Sequence, residues 1–467
     1  MMIPTALALT TCLSSVFGAP EPRLVWALPA GAAVVADETI VFWAPDFRSV
    51  LAVDALGRRL WRVATGDQGG YRDLERLGPN VLAYAGEEAI LIAPKTGKVL
   101  GRQPHVRLAS PGQPGCRIES HAGACAVVCP CGFLPVRCDD LGAAAPRASI
   151  PTFEEWDTDG NRTSQCMGRA GQLIGLAGDT EVVELPSPDL GNGGAKDFAL
   201  TTDLVGFDVH TAKERWRSHA LVDGLSSFDV ELSGALPDGK TCWLGSRSGS
   251  LRVFDCQRAT LLWSRQLAVP PGVEPQIEAA GQGLVVRDGP KAKRFSASGE
   301  TVWEVDVPKT DLVLLSDDTA FRYRRIAKLT GATVLDPATG ARRAHIALPA
   351  GLTRWPIPFA GGWLTLADRE VSVTSAQGVT SSPVKAVDFI EDVAAGPTLI
   401  ALRTRDAISV RGQADARSAA VDGDVIIAVE GAAGPNRVLV LKDGEGPWDP
   451  KNPKTFGELR LYDLALH

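Results

Sequence analysis

The 467-residue chain has few of the side chains that most often carry chemistry: three Met, four Tyr and six His. The histidines (His105, His121, His210, His219, His345 and His467) form no His-Glu-x-x-His pattern. His210 falls in a repeat turn and His219 near a strand end, where structural or exposed roles are expected. Nucleophile-elbow, phosphate-loop and dinucleotide signatures are missing, as is a Cys-x-x-Cys-His haem site. No acid–base pair can be nominated, and no catalytic residue is assigned. Past the N-terminus no apolar run reaches the ~20 residues that cross a bilayer as a helix. Net charge is −7 with dispersed Lys and Arg, which argues against nucleic acid as a partner.

What is abundant is turn chemistry. Gly (48) and Pro (32) punctuate a chain with 45% hydrophobic and 22% charged residues, and helix-period stretches are scarce. Many short strands joined by turns follow, so the expected class is all-β. The N-terminus reads as a secretory signal over 1–18, with an apolar run to Phe17 and a mature start near Ala19. The competing reading, acylation at Cys12, has Thr11 where a smaller residue is preferred. Without Cys12 eight cysteines remain, an even set that suits disulfides in an exported chain.

A repeat organises the rest. Leu51-Ala-Val-Asp54 leads through Gly57 to Trp61, and Val205-Gly-Phe-Asp208 through Thr211 to Trp216. A third copy runs from Asp255 to Trp263, and a fourth from Ser296 through Gly299 to Trp303. Thr96-Gly97 and Asp336-Pro-Ala-Thr339-Gly340 keep the turn without the Trp. In each copy a short apolar strand ends at Asp or a substitute. A tight turn follows, and then an outer strand carries Trp. Asp and Thr side chains hydrogen-bond turn backbone, and Trp is a large apolar plate suited to packing between sheets. Weaker copies lie at Phe133–Cys138, Val371–Thr374 and Ala407–Arg411. With a further strand ahead of each copy, the period is about 37 to 47 residues, as in four-stranded propeller blades. The final strand has its Asp463 but no Trp, and Arg23-Leu-Val-Trp26 supplies one. The expected fold is one β-propeller of eight or more blades, shut by terminal strands that share a blade. Residues of about 150–200 read as a loop insertion.

The Asp54–Gly57–Trp61 and Asp336–Gly340 copies resemble repeats of the pyrroloquinoline-quinone-like propeller family. That resemblance implies the fold and leaves function open. The family includes quinone-dependent alcohol and glucose dehydrogenases, and also a non-enzymatic lipoprotein of the outer-membrane assembly machinery. The enzymes have an adjacent Cys-Cys ring, a Trp floor and a calcium ion beside the quinone. No two cysteines are adjacent here; Cys129-Pro130-Cys131 is the nearest approach. The non-enzymatic branch is therefore the expectation, and no cofactor is expected.

Two smaller features remain. Cys242 with Cys256, and Cys125 with Cys138, lie symmetrically about turns and are expected to bridge. Cys116, Cys129, Cys131 and Cys166 are left for two more bridges, and the cluster lacks the Cys-x2-Cys knuckles of structural zinc. Asp157, Asp159 and Asn161 stand at alternate positions and are the candidate calcium ligands, although Arg162 and Gly168 depart from a calcium loop. Asn161-Arg-Thr163 also matches a glycosylation acceptor. The functional expectation is an exported, monomeric scaffold that binds another envelope or surface protein. The alternatives are a quinone- and calcium-dependent oxidoreductase, or a channel that binds a small ligand or carbohydrate.

Overall fold

A computed structural model describes residues 22–464, apart from 66–71, 105, 107–115, 130–131, 150–151, 157–161, 167–170, 187–201, 224–229, 270–274, 316–329, 349–351, 360–361, 368, 376–379, 381–383, 387, 406, 413–417 and 445–456. Strands dominate, with one short 3-10 turn at Gly431–Ala433. They form ten blade sheets in chain order, here blades 1 to 10: 33–64, 72–104, 117–149, 172–218, 230–266, 277–306, 311–347, 352–385, 390–421 and 425–463. Nine are four-stranded. Blade 7 has three strands among the described residues, and there Asp311–Leu315 runs parallel to Gly331–Leu335. A small two-stranded sheet, Thr152–Trp156 with Arg162–Cys166, belongs to no blade.

The terminal strands share blade 10. Arg23–Pro29 is its outermost strand and pairs antiparallel with Glu458–Asp463, Arg23 opposite Asp463. The expected insertion at 150–200 is narrower than the sequence spacing suggests. Gln172–Ala177 and Thr180–Pro186 are the first two strands of blade 4. The connection 187–201 separates them from their Asp turn, which hides the repeat.

Burial follows position within a blade. First strands of neighbouring blades lie against one another, and Val425–Val429 of blade 10 lies against Ala33–Ala36 of blade 1, closing the ring. Second strands are sealed on both faces, as in Thr39–Trp43, where every residue is buried. Ile40 and Phe42 face blade 10 while Val41 and Trp43 face blade 2. Two-sided burial explains why these strands read as unbroken apolar runs. Ten apolar clusters result, one in each seam between neighbouring blades.

The repeat's Trp locks five of those seams in the same way. Its indole N–H donates to the backbone carbonyl just after the Asp position in the next blade's turn. Trp26 reaches Ala55 O at 3.3 Å, Trp61 Pro94 O at 2.6 Å and Trp216 Cys256 O at 2.8 Å. Trp263 reaches Ala297 O at 2.9 Å and Trp303 Pro337 O at 3.2 Å. In four of the five the ring lies over the turn's glycine; the turn that Trp216 meets has Ala259, at φ +55°, in that place. Gly340 turns through φ +73°, and a methyl there would meet the Trp303 ring at 2.7 Å. The Asp carboxylates shape these turns: Asp54 accepts from the Leu56 and Arg58 amides, and Asp336 from Ala338 and Thr339. Asp208 and Asp255 do the same with the amides of His210 and Thr211 and of Gln257 and Arg258.

Other seams use substitutes. In blade 2 Gly101 occupies the Trp position, and the next blade's turn descends onto it. A methyl there would fall 1.7 Å from Asp140 O. In the next seam the Arg137 guanidinium, also paired with Asp140, donates to Val209 O at 3.4 Å, the carbonyl a Trp would otherwise engage. Between blades 7 and 8 the Trp position is Ala344, and Trp363 from blade 8 packs into the cluster instead. Between blades 9 and 10 a carboxylate serves. Buried Glu430 accepts from Thr398 N and Oγ1, both at 2.6 Å, from Leu399 N at 3.0 Å and from Asn436 N at 3.2 Å.

Two measurements check this account. Trp263→Phe should cost about 1 kcal/mol in urea unfolding through the lost N–H donor, and Trp263→Ala about 3 kcal/mol or more. Gly101→Ala should destabilise by about 1–3 kcal/mol, because the turn at Asp140 must move. A neutral result for Gly101→Ala would contradict the seam geometry.

Candidate functional site

Strand order within a blade gives the ring two unlike faces. One face has the first-to-second and third-to-fourth turns, mostly two to six residues long, with 137–147, 376–383 and 430–436 as longer exceptions; the connection 316–330 of blade 7 also leaves from this face. The other has the second-to-third turns and the blade-to-blade connections. Connections 105–116, 150–171, 187–201, 219–229, 267–276 and 443–457 all belong to this second face. The extra hairpin, Thr152–Trp156 with Arg162–Cys166, stands within one of them, between blades 3 and 4. Rigid strands thus present most of the long loop material on one side.

Asp157, Asp159 and Asn161 lie outside the described residues, as do Cys12, Cys131, His105, His467 and 445–456. Among the described residues no group of three or more His, Cys, Asp or Glu could hold a metal ion. The repeat residues Trp26, Asp54, Trp61, Asp208, Trp216, Asp255, Trp263, Trp303, Asp336 and Asp463 stand at turns and outer strands, where they join blades or shape turns. Asp463 lies by Arg23 and Arg437 at the closure. The Arg215 and Arg343 guanidiniums hold the Asp208 and Asp336 carboxyls well below the usual range. His210 contacts Asp179, and His219 the Thr202 carbonyl and Asp203. His345 contacts Asp311. His121 reaches from blade 3 to Ser233 O of blade 5 at 2.7 Å.

The structure joins Cys242 to Cys256, Cys125 to Cys138, and Cys116 to Cys129. The first two are diagonal rather than face to face. Cys125 pairs in register with Val136 and Cys242 with Phe254, and each bonds a cysteine two residues further on. Blade 3 is therefore stapled at both ends, with Cys116–Cys129 on the loop-bearing face and Cys125–Cys138 towards the other. Cys166 lies in the extra hairpin.

One buried acid stands apart. Glu181, on the second strand of blade 4, is 1% exposed and shares the side of Val183 and Leu185 that faces blade 3. Neither carboxylate oxygen has a hydrogen-bond partner, and burial pushes the carboxyl up to about 8, with the Cys125 amide as a smaller opposing influence. Tyr84 donates to Glu75 and accepts from Ile118 N, so that burial raising the Glu75 carboxyl is partly offset. Glu75 thus ties blade 2 to blade 3 through Tyr84, whereas Glu181 is buried in its seam without a hydrogen bond. Sequence inspection had no local signal for Glu181 or Glu430. Gly101 was legible, four residues after Gly97 as Trp61 is after Gly57.

A family model described as outer membrane protein assembly factor BamB matches residues 201–357. That stretch is similar to PQQ-like propeller repeats. It contains three of the five Trp-locked seams, where the sequence pattern is most regular. No curated protein matches the chain. Among solved structures, BamB from Moraxella catarrhalis is 11% identical with a TM-score of 0.36, covering 83% of this chain and 98% of its own. The computationally designed Ika8 protein is 12% identical with a TM-score of 0.34, covering 84% and 99%. Saccharomyces cerevisiae Sqt1 is 9% identical with a TM-score of 0.33, covering 84% and 95%. Likeness at this level carries no argument beyond similarity; the propeller is read from the sheets themselves. No helix among the described residues is long and apolar enough to cross a membrane.

The two buried acids predict opposite pH behaviour. Glu181 binds its proton more tightly folded than unfolded, so stability should fall as pH rises from about 4.5 towards 8. Glu181→Gln should remove that slope and raise the melting temperature at pH 8. Burial pushes the Glu430 carboxyl up, but its hydrogen bonds together outweigh that and hold it low, so its contribution is present above the unfolded value and lost as pH falls through the lower folded one. Glu430→Gln should destabilise at pH 7, by about 1–3 kcal/mol for the amides it leaves mispaired, and much less in acid.

Proposed function

We propose that the protein is an exported scaffold of the cell envelope that binds another protein through its loop-bearing face and performs no catalysis of its own. The observation that carries this reading is the segregation of long connections to one side of a ring whose other side is mostly tight turns. Rigid frameworks with variable loops at one end are a recurring way to build contact surfaces. The matched family's printed description, an assembly factor of the outer membrane, agrees in kind. Disulfides suit an oxidising compartment. No cofactor and no nucleic acid enter the proposal, and the chain acts as a monomer.

Site-specific photo-crosslinking in the native envelope tests it. A crosslinker at Arg247 or Arg369, on the loop-bearing face, should capture a protein partner, whereas one at Lys95 or Lys240 on the opposite face should not. Shortening 187–201 should reduce capture at least fivefold. Equal capture from both faces, or tight binding of pyrroloquinoline quinone with calcium by the purified chain, would overturn the reading.

A further inference from the structure

We infer that Cys116–Cys129 is a reducible, redox-sensitive disulfide, positioned to loosen blade 3 at the face assigned above to partner contact. Three observations point to it. The first is access. A small crevice opens in the seam between blades 2 and 3, lined by Gln103, Pro104, Val127, Cys129, Leu134 and Arg147. Cys116 and Cys129 are both half-buried; Cys125–Cys138 has one half-buried sulfur residue, Cys138, and Cys242–Cys256 has none.

The second is charge. Arg147 is exposed and has no carboxylate partner among the described residues. A methyl placed on Gly132 would lie 3.2 Å from the Arg147 guanidinium and 3.6 Å from Cβ of Cys129, so cation and sulfur-bearing residue flank one point. A neighbouring cation stabilises a thiolate, and a better-stabilised thiolate leaves faster in exchange. The third is dependence. Both seams of blade 3 lack the docked Trp, having Gly101 on one side and Arg137 on the other. Its outer strand, Ala148–Ser149, is only two residues long. Two disulfides, Cys116–Cys129 and Cys125–Cys138, tie its strands to one another from within.

The exchange balances with a dithiol reductant. A reductant thiolate attacks Sγ of half-buried Cys116, the S–S bond breaks, and its electron pair leaves on Sγ of Cys129, the residue that flanks Gly132 together with the Arg147 guanidinium. The reductant's second thiol, as thiolate, then displaces Cys116 and closes the reductant's own disulfide. Two electrons and two protons pass from the dithiol to the two cysteines.

The test uses the full native chain treated with dithiothreitol, quenched by alkylation, with each cysteine quantified by mass spectrometry. Cys116 and Cys129 should be reduced at least tenfold faster than Cys242 and Cys256. Arg147→Gln should slow the first pair about threefold and leave the second unchanged, and Arg147→Lys should restore most of the rate. Hydrogen exchange should then show protection lost in Arg117–His121 and Ala124–Cys129 and kept in Thr241–Ser246. Equal reduction rates, insensitivity to Arg147→Gln, or loss of protection around the whole ring would each overturn the inference. The consequence for partner contact rests on the proposed function. The reduction and exchange readouts need no partner, so either idea can fail alone.

Discussion

One contact recurs wherever the ring is regular: an indole N–H from one blade donating to the turn carbonyl of the next. A single four-stranded blade has two apolar faces and cannot bury either alone. It folds only by stacking against neighbours. Apolar clusters supply most of the burial, but they are non-directional. The indole bond adds direction, because it fixes how far one blade is rotated against the next. Asp and Gly serve that bond indirectly. Asp holds the turn in shape, and Gly lets the turn pass beneath the aromatic ring.

Where the indole is missing, the chain improvises with different chemistry. Gly101 admits a turn, Arg137 reaches a carbonyl with a guanidinium, Trp363 fills from the opposite blade, and Glu430 gathers four donors. These devices are not equivalent. A seam of packed Trp is insensitive to pH and redox state, whereas a carboxylate clasp or a disulfide responds to one or the other. The ring therefore combines an arc of Trp-docked seams through blades 4 to 7, with the fully buried Cys242–Cys256 bridge inside it, and more varied chemistry around blades 2 to 4 and 9 to 10.

Much of the architecture was legible in the sequence because it depends on local spacing. Asp54–Gly57–Trp61 and its copies mark the turn and the outer strand within a dozen residues, and Trp26 with Asp463 betrayed the shared terminal blade. Blade 4 was half hidden because 187–201 separates its second strand from its Asp turn. The candidate site was less legible. Glu181 and Glu430 each sit in ordinary strand or turn sequence, and their significance comes from residues of another blade: Cys125 for one and Thr398 for the other. Asymmetry between the faces is likewise a property of strand direction, which emerges only once the sheets are paired. The diagonal offset of two disulfides follows from register, which equal spacing about a turn does not fix.

Pairing of Arg23–Pro29 with Glu458–Asp463 has a consequence for biogenesis. The ring's first strand has no partner until the last strand has been made, so closure cannot begin before synthesis is nearly complete. Until then both ends of the ring present open edges, and the nascent chain depends on whatever shields them. Once shut, the seam places whatever precedes Arg23 at the outer rim of blade 10. Tension applied through the N-terminus would peel that one strand away from Glu458–Asp463 as a zipper, hydrogen bond by hydrogen bond, before any other blade bears load.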